Sequence, residues 1–155
     1  MSPDDMLMIL RALGREGVAY KLVGGMAMAV HGLARATEDI DLFVEPSDEN
    51  IARLRRALWS LYDDPAIAEL VAEEFRGEYP AVQYIPPGAA YHLDLLARLG
   101  DAFDFDGVEA EQKLAGGVMV TVATPRMLHE MKRDTVRVQD RADAARIALA
   151  FGLED

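Results

Sequence analysis

A single α+β domain built on a mixed sheet is the fold class this chain predicts, and three observations carry it. A length of 155 residues suits one domain, and a chain of that size hides roughly 70% of its unfolded surface, enough for one core. Stretches with helical periodicity alternate along the chain with short stretches of period two. Two of the latter, 81–85 and 91–97, flank a Pro86-Pro87-Gly88 turn and read as a hairpin-like pair. No internal repeat, low-complexity tract or linker interrupts the pattern.

The elements follow in order. Pro3 with Asp4 and Asp5 suits the first turn of a helix, where acids meet the positive end of the dipole. Met6, Ile9, Leu10 and Leu13 recur at helical spacing until Gly14 or Gly17. Tyr20 to Val23 reads as a short buried strand, Gly24-Gly25 breaks it, and Met26 to Leu33 is apolar enough for a buried helix. Ile40, Leu42 and Val44 alternate with Asp39, Asp41 and Phe43, a strand that Pro46 ends. Ser47 caps a helix over 50–61, and a further helix is expected over 65–75. Val118 to Val122 is a strand, paired with a short one near 108–112. Thr124-Pro125 starts a helix over 127–133, and Asp140 to Phe151 closes the chain as a helix with Ala144, Ile147, Ala148 and Phe151 on one face.

Composition narrows the function classes. Hydrophobic residues make up 51% and charged residues 28%, as in ordinary globular proteins. The net charge of −11 argues against coating nucleic acid or an anionic membrane through bulk charge. The absence of cysteine excludes a disulfide scaffold, a zinc ribbon and cysteine catalysis. No run is apolar for the ~20 residues a membrane helix needs, and Met-Ser-Pro-Asp-Asp lacks the basic region of a secretory signal; a cytoplasmic protein is expected. The charge is uneven. Residues 63–111 hold twelve acids against Arg76 and Arg98, whereas 126–146 hold six bases against four acids. The two stretches can meet at one cleft, acids holding metal and bases holding phosphate.

Three carboxylates and a glycine pair form the candidate chemistry. Asp39 and Asp41 are two apart on a strand and so share a face, ~7 Å apart. Two carboxylates so placed can share a hard cation such as Mg²⁺; without one they repel and raise a pKa. Asp104-Phe105-Asp106 has the same spacing but sits in a Gly- and Asp-rich stretch without alternation, so it reads as a turn. Val23-Gly24-Gly25 ends a strand and opens into a helix, where glycine lets a phosphate approach the backbone closely. Asp94, flanked by Leu93 and Leu95, is costly to place among apolar neighbours. On a strand adjacent to Asp39 and Asp41, ~5 Å away, it would bridge to a metal or accept the proton of an attacking hydroxyl. Two-metal phosphoryl chemistry needs such a set of acids.

This combination resembles the minimal nucleotidyltransferase fold of the DNA polymerase β superfamily, in which a hydrophobic residue and Gly-Gly or Gly-Ser precede a helical spacer, an acid-hydrophobic-acid element and a later third acid. The stretch from Gly24 to Asp41, with His31-Gly32-Leu33-Ala34-Arg35-Ala36-Thr37-Glu38 before Asp39, is especially similar to AbiEii-type nucleotidyltransferases of type IV toxin–antitoxin systems. So is the tail, with Lys132, Arg137 and Gln139-Asp140-Arg141-Ala142-Asp143. The resemblance implies a nucleotidyltransferase-like mixed sheet flanked by helices, one domain with a core over about 18–123 and C-terminal helices over about 124–151. It implies Mg²⁺ (or Mn²⁺) held by Asp39, Asp41 and Asp94, with Asp94 as third ligand or base. Gly24, Gly25, Arg35 and Thr37 would bind the nucleotide; Lys132 would neutralise phosphate, positioned by Asp140 or Asp143. The implied reaction moves a nucleoside monophosphate from an NTP to a hydroxyl of a tRNA, a protein or a small molecule, with a cognate antitoxin as an implied partner. Gly25 stands where the larger superfamily carries serine, and the chain lacks the large helical C-terminal domain of many such toxins.

Two other readings compete. One is a nucleotidyltransferase-fold partner protein with a dead site, disfavoured because such a site has no reason to keep three repelling acids. The other, a glycosyltransferase using Asp39-Ile40-Asp41, asks for a larger nucleotide-binding sheet. His92, two before Asp94 and hence on its face, could touch the site but reads more readily as a polar strand residue; His31 and His129 read as structural, Trp59 and Tyr62 as packing, and Arg53, Arg55 and Arg56 as a solvated helix face rather than an acceptor-binding patch.

Overall fold

The computed structural model describes residues 1–33, 36–78 and 80–154. The chain runs α1 (Pro3–Arg15), β1 (Tyr20–Val23), α2 (Gly24–Val30), β2 (Asp39–Val44), α3 (Asp48–Trp59), a 3-10 turn (Pro65–Glu69), α4 (Ala72–Arg76), β3 (Ala81–Tyr84), β4 (His92–Leu96), β5 (Arg98–Leu99), β6 (Phe103–Asp104), β7 (Ala110–Ala115), β8 (Val118–Ala123), α5 (Pro125–Arg133) and α6 (Val138–Phe151). Among the described residues, six strands form one sheet in the order β3-β4-β2-β1-β8-β7, and β5-β6 is a separate ribbon. The sheet is mixed: β1 runs antiparallel to β2 and parallel to β8, while β2 runs parallel to β4.

Local chemistry sets the helix starts. Ser2 and Asp5 form a reciprocal capping box at α1, and Pro3 occupies its first turn. The Ser47 hydroxyl accepts from the Asn50 amide at 3.1 Å, and that of Thr124 accepts from Met127 at 3.2 Å. Asn50 is itself buried and fastens α3 to the sheet: its side-chain amide donates to Ala19 O (3.0 Å) and Glu45 O (2.9 Å), while its oxygen accepts from Ala19 N (2.7 Å). Behind the sheet, α1 packs on α3 and β8, and Ile9, Leu10, Leu13, Leu22, Ile40, Leu42, Ile51 and Leu54 form a fully buried core. The expected alternation of β2 is present, with Ile40 and Leu42 inward and Asp39 and Asp41 half-buried on the other face.

Four expectations need correction. The helix expected over 65–75 is broken: Leu70 and Val71 are extended, so the chain re-aims itself between the 3-10 turn and α4 and buries Ile67, Leu70, Ala72 and Phe75 together. The partner of β8 is not 108–112 but 110–115, because Ala115 pairs with Val118 across Gly116-Gly117. Both glycines have positive φ, 53° and 80°, the requirement of a two-residue hairpin turn that follows the twist of its strands. The helix before β2 begins at Gly24 rather than Met26 and ends at Val30. Phe151 is not with the buried face of α6; it is 39% exposed and sets its ring edge-on to His31.

Candidate active site

The site is built where the central strands end. In the parallel β2–β4 pair, Asp41 lies opposite Asp94 and Asp39 opposite His92. On the other side of β2, Asp41 lies opposite Val23, the last residue of β1. The three acids and the glycine turn are thus neighbours by strand register. Leu93 and Leu95 are fully buried on the reverse face, which aims Asp94 toward the other two carboxylates. A Cβ on Gly24 would fall 2.1 Å from Asp41 Oδ2, and Gly24 has φ +73°. The residue is glycine for two reasons at once: the left-handed backbone and the carboxylate resting against its Cα.

The carboxyl groups of Asp39, Asp41 and Asp94 crowd together and oppose one another's ionisation, and Asp41 is the one held protonated most strongly. Burial foremost, then the charges of Asp39 and Asp94, push its pKa from 3.8 to about 8. Burial also raises Asp94, reinforced by its bond to Asp39. For Asp39, burial is outweighed by hydrogen bonds, first of them from the Thr37 hydroxyl, and its pKa is lowered. Thr37 also accepts from the Asp39 amide at 3.3 Å and so fixes that acid in place. An all-oxygen group that must hold a proton up to about pH 8 is one whose repulsion a divalent cation would relieve, so the donor set fits Mg²⁺ or Mn²⁺.

Across the sheet end stands the α5–α6 hairpin. Lys132 of α5 is buried, and its ammonium donates to Asp143 Oδ2 (3.1 Å) and Asp140 Oδ1 (3.3 Å) of α6. Thr135 donates to Asp140 Oδ2 at 3.1 Å, Gln139 donates to Asp143 Oδ1 at 2.9 Å, and the exposed Arg137 reaches within 3.7 Å of Asp140. Between this hairpin and the acids lies a cavity of about 90 Å³ touched by Gly24, Thr37, Asp41, Lys132 and Asp140. A wider one of about 660 Å³ opens from Asp41 and Asp94 onto the apolar walls of Leu96, Leu128, Met131 and Val136.

Of the residues singled out from sequence, Gly24, Thr37, Asp39, Asp41, Asp94, Lys132 and Asp140 gather at this one place. Gly25 is buried in the first turn of α2 and lines neither cavity. Arg35 lies outside the described residues. His92, read as an ordinary strand residue, stands in the cluster, with Nε2 3.3 Å from Asp94 Oδ2 and 3.8 Å from Asp39 Oδ2. The period-two spacing from Asp94 was its signal. Thr135 carried no signal: it lies in the bend between α5 and α6, where no periodicity operates. Arg53, Arg55 and Arg56 serve their own surface, bonded to Glu49, Leu70 O and Glu16.

The family described as "Nucleotidyl transferase AbiEii toxin, Type IV TA system" matches residues 9–114. The chain belongs to this family. The match covers about two thirds of the sequence, including Gly24, Asp39, Asp41 and Asp94, and stops before β8 and Lys132. No curated protein matches the chain by sequence. Among solved structures, it is similar to a putative nucleotidyltransferase from Thermotoga maritima at 17% identity and TM-score 0.60, over 95% of this chain and 91% of that one. It is also similar to ANT(2")-Ia in complex with adenylyl-2"-tobramycin, at 17% identity and TM-score 0.56 over 97% and 89%. An antigenic nucleotidyltransferase-like protein from Paracoccidioides brasiliensis aligns at 16% identity and TM-score 0.58 over 96% and 76%. The AbiEii chain therefore has a nucleotidyltransferase fold, with its three acids at the open end of the central strands. Among the described residues, no helix is long and apolar enough to cross a membrane.

Proposed function

We propose that this AbiEii-family protein transfers a nucleoside monophosphate from an NTP to a hydroxyl acceptor. The observation that carries the proposal is the convergence of Asp39, Asp41 and Asp94 against Gly24, with Lys132 facing them across a small cavity. The acceptor oxygen bonds to the α-phosphorus as the bond from that phosphorus to the bridging oxygen breaks. Pyrophosphate leaves, and the hydroxyl proton passes to Asp94. This acid faces the wider cavity, and its raised pKa suits a proton acceptor. Asp39, Asp41 and Asp94 would hold Mg²⁺ or Mn²⁺, with Thr37 steadying Asp39. When bound, the cation neutralises charge on the phosphoryl oxygens. Lys132 offers the phosphates a positive charge oriented in advance by Asp140 and Asp143. Gly24 leaves space for the Asp41 carboxylate, and Gly25 and Arg35 are proposed to bind the nucleotide only as the family pattern implies.

The acceptor is proposed to lie in the wider cavity beside Asp94. The adenylyl-2"-tobramycin bound to ANT(2")-Ia supports a small-molecule acceptor on this fold; the family description supports a toxin that a cognate antitoxin restrains and that would act in the cytoplasm on tRNA or protein. Incubation with each α-labelled NTP, Mg²⁺ and either total tRNA, cell lysate or an aminoglycoside tests these arms. Label should appear on one acceptor class and be absent with Asp39→Asn. NTP binding without transfer to any acceptor would favour the inactive partner protein instead.

Gly24→Ala checks the glycine's part. A Cβ at that φ, against Asp41, is expected to cost about 1–3 kcal/mol and at least about 100-fold in transfer. Thermal melts and initial rates measure both. An alanine variant with wild-type rates would remove Gly24 from the account.

A further inference from the structure

We infer that His92 supplies a nitrogen donor to the cation position between Asp39 and Asp94, and so biases this site toward Mn²⁺ over Mg²⁺. The inference rests on the reading of these acids as a divalent-metal site and deepens it. One ligand atom from each of Asp39, His92 and Asp94 can be chosen so that all three lie within 4.8 Å of one another, close enough to meet on a single ion. The imidazole nitrogen stands 3.3 Å from Asp94 Oδ2 and 3.8 Å from Asp39 Oδ2.

The position is built rather than incidental. His92 is the direct register partner of Asp39 in the parallel β2–β4 pair and shares the face of Asp94. Its Cα is held by sheet pairing, so the ring cannot withdraw far from the carboxylates. The four groups divide into two corners. Asp41 rests against Gly24 on the inner side, whereas Asp39 and His92 line a second opening with Thr37 and Glu38. An ion entering by that opening meets an imidazole together with carboxylates.

That donor set is selective. Mg²⁺ prefers oxygen in strict octahedral geometry and keeps its waters. Mn²⁺ also favours oxygen donors but, standing first in the transition series whose affinity for nitrogen rises toward Cu²⁺, it takes an imidazole at less cost than Mg²⁺ does. A serine or glutamine at position 92 would leave an all-oxygen site without that preference.

Binding of Mn²⁺ to the full-length metal-free chain, followed by electron paramagnetic resonance and competed with Mg²⁺, tests the inference without reference to turnover. Wild type, His92→Ala, His92→Gln and Asp39→Asn are compared, with circular dichroism melts as the control for folding. Wild type should bind Mn²⁺ at least about tenfold more tightly than Mg²⁺, and both His92 variants should lose about tenfold in Mn²⁺ affinity with Mg²⁺ affinity nearly unchanged. Electron spin echo modulation from a directly bound ¹⁴N should appear on wild-type Mn²⁺ and vanish in His92→Gln. Unchanged selectivity with no nitrogen modulation overturns the role of His92; if Asp39→Asn still weakens both ions, the metal site itself stands. If Asp39→Asn changes neither affinity, the metal site falls, and His92's role with it.

Discussion

Asp41→Asn is expected to lower the transfer rate by at least about a thousandfold while raising the melting temperature of the metal-free protein at pH 8. The two effects share one cause. Burial and the charges of Asp39 and Asp94 hold Asp41 protonated up to about pH 8. The folded state therefore keeps a proton that the unfolded chain releases near pH 3.8. The stability this contributes is fully present below about pH 4 and is lost as pH rises toward 8. Asparagine cannot ionise, so the variant should be more stable at pH 8 by about 1–2 kcal/mol, or roughly 3–6 °C in Tm, with the gain shrinking toward pH 4. Adding Mn²⁺ should raise the Tm of wild type by mass action and raise that of Asp41→Asn less, because one carboxylate of the set is gone. A variant less stable than wild type by the same margin at both pH values would show that Asp41 is a structural hydrogen-bonding residue, its charge being immaterial.

Lys132→Ala is expected to cost about 3–5 kcal/mol. Lys132 is buried between α5 and α6, where its single charge is shared by Asp140 and the fully buried Asp143. Removing the cation leaves two carboxylates at that interface without their lysine, which is more expensive than never having placed a charge there. Transfer should also fall at least about 100-fold at temperatures well below the variant's Tm, with weakened NTP binding. Lys132→Arg should recover stability in part, and the triple change Lys132→Met, Asp140→Asn, Asp143→Asn should recover stability while leaving transfer lost. A folded Lys132→Ala protein with near-wild-type rates would assign the lysine to α5–α6 docking alone.

How far the sequence foretold this site differs from residue to residue. Strands β1 and β2 were legible because each is short, apolar on one face and closed by glycine or proline, and the same-face placement of Asp39 and Asp41 follows from a period of two. That Asp94 is their neighbour was not: parallel pairing of β2 with β4 joins segments about fifty residues apart, and nothing local specifies it. Gly24 was visible as a chain break, but the carboxylate against its Cα belongs to the register of β1 with β2. Lys132 differs in no periodic feature from the other bases of the tail. Its burial arises only when α6 folds back on α5, and its significance in the sequence came from family resemblance. A histidine beside an acid on a strand is commonplace, so spacing alone does not mark His92; direct pairing with Asp39 makes it part of the cluster. The break between the 3-10 turn and α4 is not legible in the sequence, because its apolar spacing suits one helix as well as two shorter turns.

A crystal structure with Mn²⁺ and a non-hydrolysable NTP analogue, with the ion located by anomalous scattering, reads the central claim directly. The account predicts an anomalous peak shared by Asp39, Asp41 and Asp94, with the triphosphate lying between Gly24 and Lys132. An analogue seated elsewhere on the chain, or one filling that cavity with no ion at the three acids, would contradict it.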